Sequence, residues 1–60
     1  MRVLTINELM RLTRIELCAL LAQITNALAN FPEGSPERLD AQINLRNIRA
    51  VLARRDPSPG

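Results

Sequence analysis

The chain writes the same six-residue phrase twice near its start: Leu4-Thr5-Ile6-Asn7-Glu8-Leu9, then Leu12-Thr13-Arg14-Ile15-Glu16-Leu17. Each copy is a complete helix-start signal. The Thr hydroxyl can accept from the backbone N–H three residues on. The Glu at that position can reach back to the Thr N–H, and the flanking leucines can clasp outside the turn. At about 100° per residue, Leu17, Leu20, Leu21, Ile24, Ala27, Leu28 and Phe31 share one face. Extending that helix backwards would bury Thr13 in the apolar stripe and throw Leu12 and Ile15 to the sides. Starting afresh at Thr13 turns the same residues into a cap and a staple. The spacing therefore predicts a short helix over about 6–11, a break at Leu12-Thr13, and a second helix over about 14–29.

Phe31-Pro32-Glu33-Gly34-Ser35-Pro36 marks the next boundary. Pro32 pushes Phe31 out of helical geometry. Ser35 suits an N-cap, Pro36 the first helical position, and Glu37 the positive end of a helix dipole. A third helix is expected over about 36–54, with Arg54 and Arg55 beside its exposed carbonyls. Residues 56–60, with two prolines and a glycine, cannot extend it and read as a disordered tail. The expectation is an all-α fold, a short N-terminal helix followed by an antiparallel helical hairpin, in one domain spanning 1–55.

The last helix carries two apolar stripes. Ala41, Leu45, Ile48 and Leu52 form one. Leu39, Ile43 and Ala50 form the other, which Asn47 interrupts. A hairpin needs only one buried face per helix, so the second stripe must meet the N-terminal helix or another subunit. Size argues the same way. A 60-residue chain buries only about 60% of its unfolded surface and is marginal without a staple. Cys18 is the sole cysteine and there is no His, which removes an internal disulfide and leaves only weak hard-cation binding. Self-association is the remaining staple, and dimerisation into a helical bundle is expected. Leu39, Ile43, Ala50 and Ile15 are the candidate contacts.

Catalysis is argued against. The chain has no His, Tyr or Lys, and Ser35 and Ser58 stand in turn or tail contexts. Glu8 and Glu16 have ordinary capping roles. Cys18 lies just off the apolar face of the middle helix, where a small buried hydrophobe is usual. No phosphate-cradling glycine loop exists, and no cofactor is expected. The single cysteine fits a reducing compartment. The most apolar stretch, Leu17 to Ala29, is short of the roughly 20 residues that span a bilayer, so the expectation is a cytoplasmic protein without membrane association.

Binding is the open question. All eight basic residues are Arg, with a net charge of +2, enough to permit nucleic-acid contact but not to demand it. Arg38, Arg46 and Arg49 lie along one side of the last helix, with Arg54 and Arg55 at its end, and Asn44 and Asn47 on another side. Such side chains make forked contacts to phosphates and bases. Against this, the charge is sparse and no aromatic is placed to stack on bases. The leading reading is a non-enzymatic module that self-associates and docks on a protein partner. The alternative is a nucleic-acid-binding accessory protein using Arg38, Arg46, Arg49, Arg54 and Arg55.

Thr5-Ile6-Asn7-Glu8-Leu9-Met10-Arg11-Leu12-Thr13, Glu33-Gly34-Ser35-Pro36-Glu37-Arg38 and Asn44-Leu45-Arg46-Asn47-Ile48-Arg49 resemble segments of small uncharacterised helical proteins of proteobacterial plasmids and integrated elements. That resemblance implies a genomic setting and no activity. In architecture the chain also looks like the Rop-type plasmid regulators, helical hairpins that dimerise into four-helix bundles and bind paired RNA loops. No residue pattern matches that family's RNA-contacting face, and Phe31, the only aromatic, sits at the loop. No functional residue carries over.

Overall fold

The computed structural model describes residues 2–55, with side chains through Arg54. The predicted tail at 56–60 and the side chain of Arg55 lie outside the described residues. Three helices follow in order: α1 (Ile6–Met10), α2 (Arg14–Leu28) and α3 (Pro36–Arg55). The all-α expectation and the hairpin hold, with each boundary within one residue of its predicted position.

The break between α1 and α2 is built as the duplicated phrase requires. At Thr5 the hydroxyl accepts from the Glu8 N–H at 3.1 Å, and the Glu8 carboxylate accepts from the Thr5 N–H at 3.0 Å. Thr13 and Glu16 repeat the exchange at 3.1 and 2.8 Å. Between the two boxes, the Arg11 and Leu12 N–H groups close a tight turn on the carbonyls of Glu8 and Leu9. Leu4 and Leu12, each just outside its cap, pack against the cluster that contains Leu9 and Leu17. Each staple thus ties a helix start to the common core.

A turn links α2 to α3. Gly34 adopts φ +79°, a left-handed conformation that costs glycine little. The Ser35 hydroxyl then accepts from the Arg38 N–H at 3.2 Å, capping α3. The chain measures 38 × 21 × 17 Å.

α3 is the central element, packing against both α2 and α1. Its residues Ala41, Leu45, Ile48 and Val51 join Leu9, Leu17 and Ile24 in the buried core. Leu52, expected in the main stripe, is half-buried at its edge, and Val51, in neither expected stripe, is buried instead. The reason is the N-terminal arm. Residues 2–5 and α1 cover a flank of α3 that a two-helix hairpin leaves open.

Candidate interaction face

The arm is held by amides. Asn44 is only 1% exposed. Its Oδ1 accepts from the Leu4 N–H at 2.6 Å, and its Nδ2 donates to the Arg2 carbonyl at 2.9 Å. One turn on, Asn47 Nδ2 donates to the Leu4 carbonyl at 3.2 Å. Two side chains of α3 therefore satisfy three main-chain groups of the extended arm. The sequence placed both asparagines on a side of α3 apart from the arginines, where their amides could fork onto phosphates or bases; the burial of Asn44 removes it from that role. Asn47 is half-buried and engaged in the same clasp. Their signal was present in the sequence: Asn44, Asn47 and Val51 fall at helical spacing beside the core stripe, where a buried amide needs main-chain partners.

Outside the clasp, Arg2 closes the arm onto α1. Its guanidinium forks onto the Glu8 carboxylate, Nη1 to Oε1 at 3.1 Å and Nη2 to Oε2 at 2.8 Å. That fork, helped by the Thr5 N–H, lowers the Glu8 pKa from 4.5 to about 2. Glu16 is lowered by the Thr13 N–H and hydroxyl alone. Both carboxylates are thus occupied by their caps.

The predicted Arg side is divided. Arg38 is half-buried and turned back across the loop, where Nη1 donates to the carbonyls of Leu28 and Phe31 at 3.3 and 3.2 Å. It joins the Phe31 N–H on the Leu28 carbonyl at the end of α2 and adds a donor to the Phe31 carbonyl in the loop, so its head group is engaged within the fold. Arg46, Arg49 and Arg54 are exposed. Cys18 is exposed too, contrary to the expected buried hydrophobe. α2 is covered along one face only, and position 18 turns away from it.

The second apolar stripe of α3 remains uncovered by the arm, which lies along the Asn44 and Asn47 flank instead. Leu39 is 58% exposed, Ala50 is exposed and Ile43 is half-buried. Ile15, at the start of α2, is 82% exposed. Beside Leu39, the loop and the first turns of α3 leave an open depression of about 540 Å³, bordered by Glu33, Pro36 and Gln42. Every buried polar side-chain atom among the described residues has a partner. Among those residues no cluster of three or more His, Cys, Asp or Glu is placed to hold a metal ion. No helix among them is long and apolar enough to cross a membrane.

Among the described residues the geometry is thus that of three helices with a clasped arm and a bare outer helix face. No family model matches the chain, and comparison with curated proteins and with solved structures returns no match.

Proposed function

We propose that the chain is a non-enzymatic interaction module that self-associates and docks on a protein partner through the outward face of α3. The observation that carries the reading is the pairing of an interior whose buried polar side chains, among the described residues, all have partners with a 58%-exposed Leu39 on the side of α3 away from the core. Apolar side chains aligned on one helix face gain by being covered. A dilution series read by light scattering tests it. The average mass should rise from 6.7 kDa toward twice that value at micromolar concentrations and above. A monomer mass at every concentration, with a concentration-independent melt, would remove the self-association.

A second reading rests on the exposure of Arg46, Arg49 and Arg54: an accessory protein that binds nucleic-acid phosphates along α3. A gel shift at low salt with duplex DNA, hairpin RNA and single strands distinguishes the two. Phosphate contacts weaken linearly on a log–log plot against salt, whereas apolar docking responds little. Replacing Arg46 and Arg49 with Gln should abolish a shift of the first kind with the helical signal intact. The resemblance to proteins of plasmids and integrated elements suits either reading and adds no contact residue.

A further inference from the structure

We infer that residues 2–11 form a strap that opens as one unit when α1 and α2 join into a continuous helix. The inference concerns the Asn44 flank of α3 and holds whether or not the chain self-associates. The corner between the two helices suits both arrangements. No glycine or proline stands between Thr5 and Phe31. Arg11 already has helical dihedrals, φ −80° and ψ −14°. Thr13 has a helical φ of −73°, while its ψ of 165° is extended. Bringing that ψ into the helical range, with Leu12 following, lets the N–H groups of Thr13 to Glu16 donate to the carbonyls four residues back. Those helix bonds replace the Thr13–Glu16 box, so the main chain has partners in either state.

The two states exclude each other. Leu4 borders the same hollow as Leu20, Ile24 and Ala27 of α2. In a continuous helix the path from Leu4 to Leu20 would span about 24 Å, which carries the arm away from Asn44. Opening therefore breaks the bonds from Asn44 and Asn47 to the arm and takes Leu9 out of the core. Other attachments travel with the strap. The Arg2–Glu8 fork and the Thr5–Glu8 box join residues inside it and survive opening. On its α2 side the arm leaves a hollow of about 250 Å³, so its seat there is loosely filled. The two amides and the Leu9 side chain keep the strap shut. Opening bares Asn44 and Asn47, side chains that read the main chain of an extended segment.

Hydrogen exchange at the Leu4 N–H, which Asn44 holds, reads the opening against the Ile48 N–H inside α3. In the unmodified chain Leu4 should be at least about tenfold less protected than Ile48. Its protection should still fall with urea, with a smaller slope than that of Ile48, because opening exposes Leu9 and its neighbours. Arg14→Pro should hold the strap shut. Proline suits the first position of α2 and keeps Thr13 extended, but it cannot sit inside a continuous helix. Leu4 protection relative to Ile48 should then rise about tenfold. Arg11→Gly should leave that ratio within about twofold, because residue 11 is helical in both states. A ratio unchanged by Arg14→Pro, a Leu4 protection indifferent to urea, or equal protection of Leu4 and Ile48 in the unmodified chain would each overturn the inference. So would a large loss of Leu4 protection in Arg11→Gly, which would show the arm swinging on a flexible tether. The urea slope and the Arg11→Gly comparison decide the matter even where Arg14→Pro fails to fold.

Discussion

Asn44 joins the two ends of the fold, since its amide is the buried link between α3 and the backbone of residues 2–4. Asn44→Ala leaves an N–H and a carbonyl without partners and should cost about 1–3 kcal/mol. Asn44→Asp should cost more at neutral pH. A carboxylate can accept from Leu4 but cannot donate to Arg2, and it would be a buried charge. Its deficit should shrink as acid protonates it, which denaturant titrations of both variants at two pH values would check. Glu8 holds the same arm from its exposed side, through the Arg2 guanidinium and the Thr5 N–H. Its pKa falls from 4.5 to about 2 on folding, so the unfolded chain binds its proton first. The stabilisation from the Arg2 fork and the Thr5 cap is therefore present above about pH 4.5 and lost as pH falls toward 2. Amide shifts of Thr5 and Glu8 in the folded chain should titrate at the bottom of that window, near pH 2. In Glu8→Gln, which keeps one cap bond but no charge, the acid-dependent change should disappear.

At the scale of elements, the two capping boxes decide where helices begin. Thr13→Ala should cost about 1 kcal/mol, and α2 should lose protection first at Arg14 and Ile15 in hydrogen exchange. An unchanged melt would show that the core alone imposes the break. These boundaries were legible because they are local: a Thr, a Glu three residues on and two leucines suffice. The Pro32–Pro36 turn was legible for the same reason. The path of the arm was not. The helical spacing of Asn44, Asn47 and Val51 marks a further covered flank, but the two asparagines acquire their partners only when Arg2 and Leu4 return beside a helix some forty positions away, and no local pattern names those partners. Arg38 illustrates the same limit, since its partners are carbonyls across a loop. Periodicity grouped it with Arg46 and Arg49, but the turn of the chain gave it separate work. Cys18 was misplaced because periodicity locates a stripe without saying how wide a neighbour covers it.

For the whole molecule, a single helix serves two surfaces. One side of α3 is closed by α2, α1 and the arm; the other carries Leu39, Ile43 and Ala50 between charged flanks. The first side holds the monomer together, so Ile48→Ala, at a fully buried position, should cost about 2–5 kcal/mol. The second side should be removable without unfolding: Leu39→Glu should leave the helical signal unchanged and lower self-affinity. The most direct test is a dilution series of amide spectra on the unmodified chain. Concentration-dependent shifts should concentrate at Leu39, Gln42, Ile43, Arg46, Ala50 and Ala53, while Asn44, Ile48 and Val51 stay still. Spectra that do not change over a hundredfold range of concentration, or changes confined to the arm and α2, would contradict the assignment of the outward face of α3 as the contact surface.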